Sequence, residues 1–270
     1  MLKTRVITAL LLVAALALIL FAMPPLAAVL TFAAVAALAA WEWGGLMKQD
    51  QPARVMYAFV LLLFCWQLTV AAPELVPGLL GLSAAFWILA VPLWFRYKWT
   101  LAGNDFFGYL IGALVILPTW AAMVALHAVS TWLMLAVMAL VWIADISAYF
   151  AGRAFGQHGK HKLAPTISPG KTWEGVAGAV VGVLVYGGMV LAFSPLGEKI
   201  PFAWPLLGLL LILLTAVSVM GDLFESLLKR QAGIKDSSGL LPGHGGVLDR
   251  IDALTSTLPL AALILYLVRS

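Results

Sequence analysis

Cysteine is almost absent. The single Cys65 sits inside an apolar run, which excludes a disulfide within the chain and any zinc site built on cysteines. Charge is scarce too. Asp, Glu, Lys and Arg make up 10% of the 270 residues, and hydrophobic residues 63%. The mean hydropathy is +1.03. A soluble domain of this length is about 45–50% apolar, so a soluble globular fold is excluded. The long apolar runs lack β-type alternation, which excludes a barrel. No internal repeat is evident, which argues against a transporter built of inverted halves.

What the chain has is a series of apolar runs of about 20 residues, the length a helix needs to cross a bilayer. Nine spans are expected, roughly over 6–22, 26–43, 54–72, 78–95, 106–126, 130–151, 174–194, 203–224 and 253–268. The fold class is therefore an all-α, polytopic membrane helical bundle. The start, MLKTRVITALLLVAALALILFA, has the basic head of a signal peptide. Its apolar run is long and continues to a Pro-Pro turn, so it reads as a retained span. The second run is alanine-rich and weakly hydrophobic. Of the 16 Lys and Arg residues, all but Lys199 and Arg269 fall at the N-terminus or in even-numbered loops. By the positive-inside rule the N-terminus is cytoplasmic and the C-terminus lies outside. Two long loops, 151–173 and 225–252, then share the cytoplasmic face. Residues 1–126 are expected to pack and dimerise, and residues 127–270 to carry any chemistry.

The rare polar residues cluster. Asp145 lies in the sixth run, with Tyr149 at i+4 on the same face. It is either a helix-end carboxylate reaching for water or a site residue. Residues 156–175, GQHGKHKLAPTISPGKTWEG, are basic and rich in Gly and Pro. Ser168-Pro169-Gly170-Lys171-Thr172 looks like the end of a phosphate-binding P-loop, but Pro165 stands where the motif needs glycine, and no strand is expected before it. Lys171 and backbone N–H groups at a helix start could still hold phosphate. His158 and His161 have no partner ligands nearby, so zinc is not expected.

Asp222, Glu225, Ser226 and Lys229 recur at i, i+3, i+4 and i+7, one polar face of a helix leaving the membrane. In GHGGVLDRIDAL, glycines surround His244, and Asp249 and Asp252 open the last span. Helix capping explains one of these aspartates. Brought together with Asp222, the two could hold Mg²⁺, which takes one or two carboxylates plus substrate phosphates. A second cation at the same carboxylates would suit an in-line displacement at phosphorus.

The stretch 226–252, SLLKRQAGIKDSSGLLPGHGGVLDRID, resembles the signature of the phosphatidate cytidylyltransferases, or CDP-diacylglycerol synthases. Ser226, Lys229-Arg230, Lys235-Asp236, His244-Gly245-Gly246, Asp249-Arg250 and Asp252 all stand at the spacing of that pattern. DISAYFAGR and SPGKTWEG resemble the same family, and the likeness covers roughly residues 140–255. One departure is Thr166, where many members have a basic residue.

The resemblance implies transfer of the cytidylyl group from CTP to phosphatidate, giving CDP-diacylglycerol and pyrophosphate. It implies a Mg²⁺-dependent enzyme, active as a homodimer, with no nucleic-acid partner. The setting it implies is the cytoplasmic face of a bacterial inner membrane. Carried onto this sequence, it assigns metal binding to Asp222, Asp249 and Asp252. Catalysis goes to Asp145, Lys171, Lys229, Asp249 and Arg250. Substrate binding goes to Ser168, Ser226, Arg230, Lys235, His244, Gly245 and Gly246.

Two other classes are weighed against this. A transporter would use Asp145 and Asp222 as ion sites, but does not call for dense Lys-Arg-His-Gly loops. A phosphotransferase using CDP-alcohols resembles a different pattern, starting D-x-x-D-G, which this chain lacks. A relative that activates another lipid phosphate with CTP would share the nucleotide site.

Overall fold

The computed structural model describes residues 2–101, 103–156, 161–194 and 203–269. Among them, nine helices are long and apolar enough to cross a membrane. In chain order they are α1 (Leu2–Phe21), α2 (Pro25–Leu46), α3 (Gln51–Val70), a span made of α4 (Val76–Ala85) and α5 (Val91–Tyr97), α6 (Asp105–Val129), α7 (Thr131–Phe155), α8 (Trp173–Phe193), α9 (Trp204–Ala232) and α10 (Leu248–Arg269). All nine expected spans are found. The cap chemistry is local: Asp50, Asn104, Ser130 and Thr172 each accept a backbone N–H from the first turn of α3, α6, α7 and α8. Gly233, in the left-handed conformation, ends α9.

α6 and α10 are the most buried spans and α1 the least. Thr119 on α6 ties the two central helices by donating to the Thr255 carbonyl of α10 at 3.2 Å. The alanine-rich α2 is also an inner helix, with Ala28, Ala36, Ala39 and Ala40 buried. Small side chains let helix backbones approach, and in a membrane that approach replaces hydrophobic drive.

Two features depart from the expectation. The fourth span is interrupted by a π-turn at Phe86–Ala90. That turn brings Phe86 and Trp87, with Trp94 on α5, edge-on against Phe224 of α9, at centroid distances of 5.6, 5.5 and 5.3 Å. Phe224 lies two residues from Asp222 and from Ser226, on the far side of the helix from both. The aromatic box therefore holds α9 so that its polar face looks the other way.

The second departure is a short antiparallel pair, β1 (Lys162–Ala164) and β2 (Ser168–Thr172). A strand thus does precede the Ser168–Lys171 run, and the run is itself a strand. Its buried anchor is Ile167 at the turn. Three to five residues paired across a turn leave no periodic mark in the sequence.

Candidate functional site

The cavity lies where α7, α8, α9 and the hairpin meet. It holds about 620 Å³ and is lined by Asp145, Tyr149 and Arg153 of α7, Ser168 and Lys171 of β2, and Asp222 of α9. Thr172 closes its floor by capping α8 through Gly175 N–H at 3.1 Å. Lys171 Nζ pairs with Asp222 Oδ2 at 2.7 Å, and both side chains are about a quarter exposed. Ser226 donates to the other oxygen of Asp222 at 3.2 Å. Asp145 is open to the cavity, within electrostatic reach of Asp222, Lys171 and Arg250.

A second layer lies behind this wall. Lys229 is nearly buried and bridges Glu225, at 3.0 Å, and Asp249 Oδ1. Asp249 Oδ2 accepts from Ser237 N–H at 2.8 Å, Ser237 Oγ at 2.9 Å and Gly246 N–H at 2.8 Å. Both oxygens of Asp249 are thus engaged in building the 235–249 loop. Asp252 lies within electrostatic reach of Asp222 and within hydrogen-bond reach of Glu225, whose Oε1 is buried.

The donor set suits a hard cation. Asp222 lines the cavity, and Asp252 lies within electrostatic reach of it. Among the described residues no group of three or more acidic, His or Cys side chains forms a ready cage. Mg²⁺ does not require one, because it keeps waters and takes substrate phosphates as ligands. Asp249 could join only by releasing Lys229.

The remaining expected residues fall into two sets. Arg250 and Lys235 are exposed. Arg230 donates Nε–H to the Ile167 carbonyl at 3.4 Å, tying α9 to the hairpin. His244 sits in a turn closed by Leu241 N–H to the Gly245 carbonyl at 2.8 Å, with its Nδ1 buried and unpartnered among the described residues. His161 pairs with Glu174 at 2.8 Å, and His158 lies outside the described residues.

Gly245 and Gly246 have a packing reason. Gly245 adopts φ +77°, and a Cβ there would meet Asp249 Oδ2. A Cβ on Gly246 would collide with Ser237 Oγ and the Glu42 carboxylate. Gly246→Ala should therefore destabilise the protein by about 1–3 kcal/mol. Thermal unfolding in detergent checks this against Gly239→Ala, whose Cβ meets nothing within 4 Å.

Glu42 is the residue that sequence reasoning missed. It is fully buried on α2, with four donors from the 237–248 loop around it. A lone carboxylate inside an alanine-rich span was a usable signal, because such a residue is costly in lipid.

The comparisons with known proteins cover the whole arrangement. The cytidylyltransferase family profile matches residues 3–268. A phosphatidate cytidylyltransferase of Pseudomonas aeruginosa is 43% identical over 280 aligned positions, covering 98% of this chain and 97% of that protein. One from Haemophilus influenzae is 37% identical, covering 96% of each. One from Brucella abortus is 49% identical across 48% of this chain. With its signature loop, cation-lined cavity and full-length match, the chain belongs to the cytidylyltransferase family.

Proposed function

We propose that the protein transfers the cytidylyl group of CTP to phosphatidate, forming CDP-diacylglycerol and pyrophosphate. The observation that carries this reading is the Lys171–Asp222 pair in the wall of a 620 Å³ cavity at the ends of membrane-spanning helices. The relatives named phosphatidate cytidylyltransferase support it along nearly the whole chain.

A phosphate oxygen of phosphatidate attacks the α-phosphorus of CTP. The new P–O bond forms as the α–β anhydride bond breaks, and pyrophosphate leaves with that bond's electron pair. The nucleophile is already an anion, so no strong general base is needed. The demand is to bring two polyanions together and to stabilise charge in transit. Lys171 is placed to neutralise phosphate in the cavity, with Ser168 beside it and Arg250 within reach of Asp145. Lys229 holds the loop through Asp249 and Arg230 holds the hairpin through the Ile167 carbonyl, and in this reading Lys235 and His244 bind the nucleotide. Mg²⁺, held by Asp222 and Asp252, would add positive charge at the phosphates.

The active face is cytoplasmic, in a bacterial inner membrane, and the protein works as a homodimer. The basic loops and the bacterial relatives support that placement. Phosphatidate keeps its tails in the leaflet beside exposed Ile146, Tyr149 and Phe150 of α7, while its headgroup enters the cavity.

The test is a mixed-micelle assay of the purified protein with phosphatidate, labelled CTP and Mg²⁺. CDP-diacylglycerol should form, and EDTA should abolish it. Product formed with another lipid phosphate, and none with phosphatidate, would reassign the acceptor.

A further inference from the structure

We propose that Glu42, on α2, is a positioning residue for CTP. Its carboxylate fixes the 237–248 loop in the form that receives the nucleotide, a role that rests on the cytidylyltransferase reading above. Among the described residues, every hydrogen-bond partner of Glu42 belongs to that loop. Oε1 accepts from Ser238 Oγ at 2.6 Å and Val247 N–H at 2.9 Å. Oε2 accepts from Ser237 Oγ at 3.1 Å and Leu248 N–H at 2.6 Å.

The arrangement is more specific than packing requires. Burying a carboxylate is costly unless its charge is well solvated by donors. An apolar side chain would fill the same space between helices without that cost. Glu42 also does what the local sequence leaves undone. Val247 and Leu248 stand at the start of α10, where backbone N–H groups lack helical partners and a negative charge is favoured. Asp249 shares the Ser237 hydroxyl with Glu42, so the two carboxylates grip one loop from opposite helices. The turn between these anchors carries His244, and its outer side is held by Thr8 of α1 donating to the Pro242 carbonyl at 2.9 Å. The N-terminal spans thus reach the signature loop.

Glu42→Gln tests this. Each carboxylate oxygen faces one backbone N–H, which cannot turn round. The amide NH₂ of Gln must oppose one of them in either orientation. The expected result is a rise in KM for CTP of about tenfold or more, with KM for phosphatidate within about twofold. The thermal stabilisation that Mg-CTP gives the wild type should be lost. Glu42→Asp keeps the charge on a shorter stem and should recover part of the CTP affinity. Should Glu42→Gln fail to fold, Ser238→Ala removes one of the four bonds, and should raise KM for CTP about threefold. If both KM values stay at wild type and only the active fraction falls, Glu42 is a packing residue and the proposal is overturned. A wild type that neither makes CDP-diacylglycerol nor is stabilised by Mg-CTP would instead overturn the functional reading, and the role of Glu42 with it.

Discussion

Asp249→Asn should lower turnover by about two to three orders of magnitude in a protein that still inserts and folds. The reason is geometric. Oδ1 faces the Lys229 ammonium, and Oδ2 faces two backbone N–H groups and a hydroxyl. Asn offers one oxygen and one NH₂. With the oxygen toward the loop, the NH₂ meets Lys229, donor against donor. With the oxygen toward Lys229, the NH₂ meets the N–H groups of Ser237 and Gly246. Neither orientation satisfies the site.

Removing one partner of a buried ion pair costs about 3–5 kcal/mol. Lys229 is 12% exposed and keeps Glu225 at 3.0 Å, so the loss of stability should lie at the low end. The larger loss is in catalysis, because Lys229 and the loop lose their shared anchor together. Turnover at saturating CTP, phosphatidate and Mg²⁺ measures it, with thermal unfolding in detergent alongside. Near-normal turnover would mean that the loop keeps its active form without this pair.

How far the sequence reached depends on range. The face of Asp222, Glu225, Ser226 and Lys229 was legible because helical spacing is local. The structure confirms it with Ser226 on Asp222 at 3.2 Å and Lys229 on Glu225 at 3.0 Å. The nine spans were legible because apolar runs of bilayer length have few other uses. The bond from Lys229 to Asp249 crosses 20 residues, and those from Glu42 to the loop cross about 200. No periodicity links such positions; only packing brings them together. Their spacing sets Asp249 and Asp252 together at the start of the last span, and capping explains only one of them. Their surroundings differ: Asp249 is enclosed by donors, and Asp252 faces other carboxylates. The hairpin was missed because one buried Ile167 and the Arg230 bond hold it, and neither leaves a pattern.

That difference between the aspartates predicts where the metal requirement lies. Asp222→Asn should raise the Mg²⁺ concentration for half-maximal activity by about tenfold, and lower turnover at fixed Mg²⁺ by about 100-fold. Asp222 stands at the cavity wall with 28% of its side chain exposed, paired with Lys171 and facing Asp252. It is the carboxylate that a cation and a phosphate can both reach. A neutral amide there binds a hard cation weakly and leaves Lys171 without its partner. Ser226→Ala, which only releases one hydrogen bond to Asp222, should cost about tenfold or less. A Mg²⁺ titration of both variants, at fixed phosphatidate and CTP, separates two roles for Asp222. If the Mg²⁺ requirement is unchanged and only KM for phosphatidate rises, Asp222 acts by orienting Lys171. If the requirement rises in step with the loss of turnover, Asp222 holds the metal, and Lys171 marks the place where the incoming phosphate meets it.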